Sequence, residues 1–541
     1  MKMASRDVPT YPEHGVIYQG DYLDDIPYDA YVHAMPLPAK NVYDIRRFGA
    51  RPNTKELSTQ AFQDAARSAK ETNGIILVTG GTYLVGSVEI SSGTTLFISK
   101  DATLKASRDL SQFSTAMISI IKAENVLITG GGTIDGSGEY FVNLPRKKPL
   151  REPLGYTKLP PRLLEPLGYP EDTIRFAYRE RIRYADDRWN TGAPDIKRPL
   201  YTVWLRDSRN IRVENILMKD SFDWTVSIDC SMFVTVRDVV VDNNRHVANT
   251  DGIDVMGSTD VTVSHVFIST ADDGLCVKSP LFQGHDGLAV TDHTPLKMSG
   301  TRHITFEDCK VCTVMNAFKI GTETYYDIDD ITVKDCSFFM PDLYPGSVSG
   351  ISIESADGAV ISNVHCKNIQ MNNVVCPLFI CINKRNKYDF ANAKDALLKK
   401  DGGSVEHICL ENISAVNMEI PCIITGYSTH QHTQMVKDVC ISSFHATYRQ
   451  NREILDIRYP LYENIHDYPE SNAFGDVPAY GIFFRHLDGL RLSDVSIKPR
   501  EVNTRQEFVF DDCHHCIQDN ERSTKDSLCG DVNEGEKNRR S

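Results

Sequence analysis

Hydrophobic residues recur along most of this chain in one short pattern, apolar-x-apolar-x-x-apolar, usually followed by x-apolar. Alternation with a period of two predicts a strand with one buried face, and the extra residue before the third apolar position predicts a bend. Asn or Asp often stands at that bend, as in VENI, VRDV, FEDC, VKDC and LENI, and both favour turn conformations. Copies of the pattern are Ile211-Val213-Ile216-Met218, Val234-Val236-Val239, Val261-Val263-Val266-Ile268, Ile304-Phe306-Cys309-Val311, Ile331-Val333-Cys336-Phe338, Ala359-Ile361-Val364-Cys366, Ile408-Leu410-Ile413-Ala415, Val439-Ile441-Phe444-Ala446 and Leu490-Leu492-Val495-Ile497.

The spacing of these copies predicts an all-β solenoid. Successive copies begin roughly 23 to 30 residues apart unless an insertion intervenes, with almost no helical pattern between them, which favours a parallel β-helix. One coil cannot bury its apolar face alone, whereas stacked coils bury a continuous core. We therefore expect one domain despite the length of 541 residues. A β-sandwich is the structural alternative, but it would need hairpin turns about every 8–12 residues.

Several segments fall outside the repeat. We predict an irregular N-terminal arm at 1–41, the β-helix at 42–515 and a polar, disordered tail at 516–541. Residues 58–71 show the one clear amphipathic helix pattern, with Ser58 as candidate N-cap, and this helix is expected to cover the first coil. Long insertions at 142–200, 279–300 and 384–405 interrupt the coils, and such insertions often form a solenoid's binding face.

Composition and charge narrow the classes of function. The chain is 41% hydrophobic and 24% charged, and its net charge of −14 argues against a general binder of nucleic acid or of an anionic membrane. No apolar run approaches the roughly 18 residues of a membrane-spanning helix. The N-terminal sequence lacks the apolar core of a secretory signal, so we expect a cytoplasmic location unless a leader was removed.

Most of the 14 cysteines lie inside the strand patterns, for example Cys309, Cys336 and Cys366. We expect them to be reduced core residues in a reducing compartment, because free Cys behaves as a small buried hydrophobe. Cys513 and Cys516 have CxxC spacing, but no second pair accompanies them, so they do not by themselves predict a metal or redox site.

Carboxylates stand out in the stretch NTDGIDVMGSTDVTVSHVFISTADDGLCVKS at 249–279. Asp251 and Asp272 are 21 residues apart, about one coil, and coils stack roughly 4.8 Å apart. We therefore expect Asp251, Asp272 and Asp273 to meet on one side of the solenoid, where repulsion favours one protonated carboxyl beside ionised ones. Such a set suits inverting glycoside hydrolysis, whose acid and base stand about 6.5–9.5 Å apart. Ordinary turn residues and a calcium site remain alternatives.

The motif NTDGID, followed one coil later by ADDGLCVKS, resembles the polygalacturonase family of glycoside hydrolases, family 28. VYDIRRFGARPN at 42–53, GGGTIDGSG at 130–138 and KDSFDWTVSIDCSMFVTVRDVVV at 219–241 extend the resemblance over about residues 42–500. The resemblance implies a right-handed parallel β-helix that hydrolyses pectic polymers with inversion and without a metal or organic cofactor. It matches Asp272 to the general acid, Asp251 and Asp273 to the pair that activates water, and Asn249 to the first residue of the NTD motif.

Two motifs of the family are missing from this chain. Members that cleave polygalacturonic acid carry GHG, where this chain has Met315 or Asn316 in place of the His, and RIK, where it has Ser352 and Glu354. A guanidinium–carboxylate contact is strong and geometrically specific, so the loss of these cations implies a different grip on the sugar. The segments AFKIGTET, GISIESADGAVISNVHCKNIQM and PLFICINKR resemble a broader branch of the family, which includes bacterial members that act on rhamnogalacturonan and other oligosaccharides.

Further residues are candidate substrate contacts, although strand-flanking charges are often merely solvated and an indole is often buried. We predict an exo-acting hydrolase of a pectin-related oligosaccharide, with neither nucleic acid nor membrane as partner. A uronate lyase or epimerase and a non-catalytic carbohydrate-binding β-helix remain alternatives. The candidate contacts are Asn249, Lys278, Lys319, Glu323, Glu354, the pair Lys384 and Arg385, and Trp224 as a sugar platform.

Overall fold

The computed structural model describes residues 3–4, 22–138, 198–245, 247–280, 299–341, 347–385, 402–449, 461, 463–474, 477–500 and 502–519. Nearly all of the three predicted insertions and residues 520–541 lie outside this set. The chain divides into two compact units, the first comprising Met1–Arg151 and Asp187–Ala317 and the second comprising Glu152–Asp186 and Phe318–Ser541.

Apart from the first two, which pair antiparallel with each other, the strands of the first unit pair in parallel. They are β1 (Met3–Ala4), β2 (Tyr22–Leu23), β3 (Val42–Asp44), β4 (Ile75–Val78), β5 (Gly81–Val85), β6 (Val88–Glu89), β7 (Thr95–Ile98), β8 (Ala102–Ala106), β9 (Ala116–Ile121), β10 (Glu124–Thr129), β11 (Thr133–Asp135), β12 (Tyr201–Arg206), β13 (Arg209–Lys219), β14 (Trp224–Asp229), β15 (Met232–Asp242), β16 (Ile253–Met256), β17 (Thr259–Thr270), β18 (Leu275–Ser279) and β19 (Thr301–Thr313).

The second unit is built in the same way and begins within β20 (Asn316–Thr324). The first two residues of that strand belong to the first unit. Its other strands are β21 (Ile328–Phe339), β22 (Ser347–Ser355), β23 (Val360–Asn372), β24 (Val374–Ile382), β25 (Ser404–Met418), β26 (Cys422–Thr425), β27 (Tyr427–Ser428), β28 (Thr433–Gln434), β29 (Val436–Tyr448), β30 (Ala479–Lys498) and β31 (Gln506–Asp519). The last strand ends at Asp519, inside the segment predicted to be a disordered tail.

In each unit, a strand pairs in parallel with the equivalent strand one coil further along the chain. In the first unit the long strands β13, β15, β17 and β19 form one ladder, and the short strands β12, β14, β16 and β18 form another. In the second unit β21, β23, β25, β29 and β30 form the long ladder. This repetition is the arrangement of a parallel β-helix, which confirms the predicted fold class.

The predicted bends lie at residues with left-handed backbone conformation. The φ angles are 53° at both Asn215 and Asp238, 50° at Asp308, 57° at Asp335 and 53° at Asn412. Asn and Asp visit this region more readily than other side chains. Each of these residues turns its long strand through a corner, so the apolar pattern continues on the buried face after one extra position.

Apolar residues at equivalent positions of neighbouring coils form the core. Ile211, Val234, Val261 and Ile304 occupy one such row, and each is at most 1% exposed. The next inward-facing position of the same strands repeats the row with Val213, Val236, Val263 and Phe306. Burial is therefore shared along the stack, as expected when one coil cannot bury its own apolar face.

The amphipathic helix lies close to its predicted position, at α2 (Thr59–Thr72), after the short α1 (Tyr28–Tyr31). It packs on β3, β4 and β6 at the N-terminal end of the first unit and buries Phe62 completely. Ser58 occupies the N-cap position, but its side chain makes no capping hydrogen bond. Short 3-10 helices span Ile45–Phe48, Leu110–Gln112 and Ser471–Phe474. Within the ranges given above, no helix has the length and hydropathy needed to cross a membrane.

The cysteines agree with the reduced state expected from the sequence. Within the described residues all of them are free thiols, and Cys309, Cys336 and Cys366 are buried. Cys409 and Cys440, which also lie in strand patterns, are only half-buried. Burial raises the pKa of the Cys366 thiol, which makes it unreactive at neutral pH.

A substitution at one bend tests whether backbone conformation determines these corners. Asp308 is exposed and left-handed, so Asp308→Val should lower the free energy of unfolding by about 1–2 kcal/mol because a β-branched residue resists that conformation. Urea denaturation followed by circular dichroism measures the change. Asp308→Asn is the control and should leave stability close to wild type; equal stability of the two variants would refute the explanation.

Candidate active site

The turns before β16 and β18 carry the three predicted carboxylates. The register pairs Ile253 with Leu275, so two residues earlier Asp251 lies beside Asp273. The N–H of Gly252 donates to the carbonyl of Asp273 at 2.9 Å, which continues the same pairing into the turns. Asp273 is therefore the coil equivalent of Asp251. The 21-residue spacing from Asp251 to Asp272 predicted that the two turns are neighbours, and the register shows that the directly paired residue is Asp273.

Glycine follows the acidic residues of both turns for a steric reason. A Cβ added to Gly252 would lie 2.4 Å from the carbonyl oxygen of Gly274, and one added to Gly274 would lie 2.3 Å from Cγ1 of Val311. Neither position has room for a side chain. The DG pairs of NTDG and ADDG thus let the backbone enter the core directly after the carboxylates, whose side chains point the other way.

The structure brings the three carboxylates together. One oxygen from each of Asp251, Asp272 and Asp273 lies within 4.8 Å of the other two. Asp251 and Asp273 are buried, whereas Asp272 is half-buried. This limit joins one oxygen of each residue, whereas the expected separation of about 6.5–9.5 Å between an inverting acid and base is that of whole carboxyl groups.

Lys278 contacts two buried carboxylates. Its Nζ donates to Oδ2 of Asp251 at 3.0 Å and to Oδ1 of Asp254 at 2.7 Å, and it stands 3.9 Å from the ring centroid of Trp224. Lys278, Asp254 and Trp224 are 4%, 0% and 6% exposed. The structure therefore places Lys278 and Trp224, both predicted to contact substrate, in an internal cation site behind Asp251.

The charges at this internal site do not balance. A single ammonium faces both Asp251 and Asp254, and burial raises the pKa of Asp254 well above its ordinary value. The charge of Lys278 opposes that shift, while the negative charge of Asp251 adds to it. Asp254 was not among the predicted site residues, although it stands inside the quoted NTDGID motif.

Asp273 is held by Asn316, the residue at one of the two positions considered for the family's missing His. The side-chain Nδ2 of Asn316 donates to Oδ1 of Asp273 at 2.8 Å, and its backbone N–H lies 3.3 Å from the same oxygen. Asn316 is fully buried. An amide therefore lies against Asp273, which fixes the orientation of this carboxylate without adding a charge.

Asp272 differs from its two neighbours in exposure. Its Oδ1 accepts a hydrogen bond from the backbone N–H of Asp273 at 2.9 Å, and its carbonyl accepts one from the hydroxyl of Thr313. These bonds fix the turn while leaving the carboxyl partly open to solvent. Of the three carboxylates, Asp272 is thus the one that an incoming ligand reaches first.

Asn249 stands two residues before Asp251, in the turn that precedes β16, and has a left-handed conformation with φ of 60°. The guanidinium of Arg198 donates to the carbonyl of Ala248 at 2.8 Å and lies 3.4 Å from Oδ1 of Asn249. Arg198 also pairs with the buried Asp223 at 3.0 Å. Arg198 was missed from the sequence because it falls in a segment interpreted as an insertion.

In the second unit, Lys319 and Glu354 face each other in the interior. They are 1% and 0% exposed, and the ammonium of Lys319 lies 3.8 Å from Oε2 of Glu354. The hydroxyl of Ser352 donates to Oε1 of Glu354 at 2.6 Å. The two residues in the places of the RIK cations are therefore bonded to each other, and both are buried.

Glu323 and Arg385 belong to a neighbouring group in the second unit. Arg385 forms an ion pair with Asp357, and its Nη1 lies 3.5 Å from Oε1 of Glu323. The aromatic ring of Tyr468 lies 5.8 Å from the guanidinium carbon and 5.4 Å from Nζ of Lys319. Tyr468 gave no sequence signal, since it lies outside every repeat.

Comparison with known proteins finds a similar family. The model of "Glycosyl hydrolases family 28" matches residues 187–443, which include all three carboxylates. Over those residues the chain is similar to the glycoside hydrolases of family 28. A solved structure, the family 28 exopolygalacturonase of Yersinia enterocolitica, has the same fold, with a TM-score of 0.59 and 16% identity over 88% of this chain and 78% of its own.

Two curated relatives have similar sequences. The exopolygalacturonase of Zea mays is 24% identical over 416 residues, 71% of this chain and 84% of its own length. A probable polygalacturonase of Vitis vinifera is 24% identical over 350 residues, 60% of this chain. The chain spans 59% of the length of that relative.

The charge imbalance at Lys278 predicts a dependence of stability on pH. Because the folded-state pKa of Asp254 is raised, its contribution to stability is fully present below the unfolded value of about 4 and is lost as pH rises through the folded value. The stability of the wild type relative to Asp254→Asn should therefore fall as pH rises above about 4. Urea titrations of both proteins at several pH values measure this difference. A difference that stays constant or grows with pH would contradict the assignment.

Proposed function

We propose that this protein hydrolyses a pectin-related oligosaccharide with inversion, using Asp272 as general acid and Asp251 with Asp273 as the pair that activates water. The observation that carries the proposal is the convergence of three carboxylate oxygens within 4.8 Å, in two different environments. General acid–base catalysis needs groups whose surroundings separate their roles. The half-buried Asp272 suits proton donation to a leaving oxygen, and the two buried carboxylates suit a fixed base.

The two buried carboxylates are positioned in different ways. Asp251 accepts from the ammonium of Lys278 at 3.0 Å, which stabilises negative charge there, and Asp273 accepts from the amide of Asn316 at 2.8 Å. Both donors lie in the interior and hold the carboxylates in place before substrate arrives. Lys278 is then a positioning residue that acts on the sugar only through Asp251.

The close spacing of the oxygens bears on stereochemistry. Oxygens within 4.8 Å are nearer than an inverting acid and base usually stand, and a spacing of about 5–5.5 Å between carboxyl groups is typical of retaining enzymes. In the proposed arrangement Asp251 and Asp273 both hold the attacking water. The distance that matters for stereochemistry is therefore the one from that water to the carboxyl of Asp272. The anomeric configuration of the first product decides between inversion and retention.

Similarity to known proteins supports a pectic substrate, and the sequence supports binding of that substrate without the usual cations. The matched Zea mays relative is named an exopolygalacturonase, which favours attack from a chain end. The residues in place of the RIK cations are Ser352 and a buried Glu354 already bonded to Lys319. We therefore favour a rhamnogalacturonan- or galacturonide-type oligosaccharide bound without that pair of cations.

Two other functions compete with this one. A cation site is compatible with three clustered carboxylates, but the ammonium of Lys278 already brings a positive charge to Asp251. A lyase or epimerase would need a base beside C5 of a uronate, and a lyase product would absorb in the ultraviolet. Absorbance, reducing sugar and the effect of a chelator on the same reaction mixture separate these cases.

Removing the proposed acid gives the most direct test. Asp272→Asn cannot donate the proton, so kcat on the best oligosaccharide of a pectic panel should fall about 10²–10⁴-fold. Reducing-sugar release measures the rate, and proton NMR of the first turnovers should show the inverted anomer. Asp308→Asn is the matched control and should retain full activity. Undiminished turnover in Asp272→Asn, or retention of configuration, would refute the mechanism.

A double substitution tests the positioning role of Lys278. Lys278→Met leaves two buried carboxylates without their cation and should cost about 3–5 kcal/mol of unfolding free energy. Adding Asp254→Asn removes one of those carboxylates, so Lys278→Met/Asp254→Asn should recover much of the stability but little of the activity. The acidic limb of its kcat/KM profile should also lie at higher pH than in the wild type.

Each result of this double substitution distinguishes a structural from a positioning role. If activity returns together with stability, Lys278 serves only the fold. Lys278→Arg keeps the charge and should retain more activity than Lys278→Met at equal stability. Thermal denaturation accompanies each rate measurement, so loss of fold is not mistaken for loss of function.

A further inference from the structure

One corner of the first unit carries a row of residues with left-handed backbone conformation, and all but one of them have side chains that tolerate it. The residues after Glu124, Arg209, Met232, Thr259 and Arg302 occupy register-equivalent places in β10 and the four long strands that follow it in the ladder, and all have left-handed φ of 53° to 58°. Small polar or imidazole side chains, which tolerate this conformation, occupy four of them. The residues are Asn125, Asn210, Phe233, Asp260 and His303.

Phe233 breaks this rule and is also unusually exposed. A bulky aromatic residue with positive φ is an outlier, and residues kept in such conformations cluster at functional sites. Its side chain is among the exposed large hydrophobic ones, with 45% of the residue accessible. Neither the strain nor the exposure serves the core, since Phe233 lies outside the buried rows.

The surroundings of Phe233 form a small polar site. The guanidinium carbon of Arg209 lies 4.7 Å from the ring centroid, and Nδ2 of Asn210 donates to Oδ1 of Asn125 at 2.5 Å. Together with Glu124 these residues line a surface depression of about 270 Å³. An aromatic face beside two amides and two charged groups combines an apolar platform with several hydrogen-bonding partners.

We propose that this depression binds a neutral pyranose residue of a polysaccharide, with the C–H face of the sugar on Phe233 and its hydroxyls on the amides and charged groups. Arg209 and Glu124 carry opposite charges in one small site, so a uronate carboxylate would gain little from it. Hydroxyl groups, which both donate and accept, suit such a mixed set better.

The depression is distinct from the candidate active site. The short strand β14 begins at Trp224, beside Lys278, and the chain reaches Phe233 only after the end of that strand at Asp229. Six extended residues span roughly 20 Å, so one monosaccharide cannot occupy both places, whereas a polymer can. The inference goes beyond the proposed hydrolysis, because binding here requires no turnover.

Affinity electrophoresis in gels containing a neutral β-galactan or polygalacturonate tests this proposal. The wild type should be retarded by the galactan, and Phe233→Asn should weaken that retardation at least about fivefold while activity on short oligosaccharides stays unchanged. Asp260→Asn, a substitution at another left-handed position of the row, is the control and should bind as the wild type. Because binding is read without turnover, the result does not depend on whether hydrolysis is established.

The melting temperature supplies a second measurement, which should not fall when polysaccharide binding falls. Asn suits the left-handed position, so Phe233→Asn should raise the melting temperature or leave it unchanged while it loses polysaccharide binding. Unchanged retardation in Phe233→Asn would overturn the proposal, as would a lowered melting temperature, since Phe233 would then serve the fold. Retardation by polygalacturonate alone would overturn the assignment of a neutral sugar.

Discussion

Register between successive coils is the constraint on which the candidate site depends. Parallel pairing places equivalent residues of neighbouring coils one strand spacing apart, so a carboxylate in one turn meets the residue at the same position in the next. Asp251 lies against Asp273, and Asp273 lies against Asn316, because the strands that follow each turn are paired without a slip. A one-residue shift would turn every side chain of a short strand to its other face.

Stacking also brings like charges together, and the compensating positive charge comes from the interior of the coil. Carboxylates on adjacent coils repel one another, and the turn glycines leave no space for a compensating side chain at the turns themselves. The compensating cation comes from Lys278 at the far end of β18, and the ring of Trp224 lies beside its ammonium. Burial raises the pKa of Asp254 well above its ordinary value, and the negative charge of Asp251 adds to this effect while the charge of Lys278 opposes it.

Much of this architecture was predictable from the sequence, because apolar period and bend chemistry repeat in every coil. The left-handed bends at Asn215, Asp238 and Asp308 lie where the pattern inserts its extra residue. Exact register was not predictable: the spacing predicted that the two turns are neighbours, but only the pairing of Ile253 with Leu275 shows that Asp273 lies directly beside Asp251. The sequence also did not predict which way a charged side chain points from its strand. Lys278 and Lys319 were interpreted as solvated or substrate-facing charges, but both are buried.

The distribution of charge also bears on which sugar such a site can hold. Lys278 and Lys319 are two of the cations predicted to contact substrate, yet each has its ammonium bonded to or facing a buried carboxylate. A cation engaged in this way can be released to a ligand only if its partner carboxylate is neutralised or moved, and breaking a buried pair is costly. Recognition that relied on these lysines would therefore work against the fold. Hydrogen bonding to sugar hydroxyls by amides, hydroxyls and backbone groups carries no such penalty, which favours a ligand recognised mainly through its hydroxyl pattern.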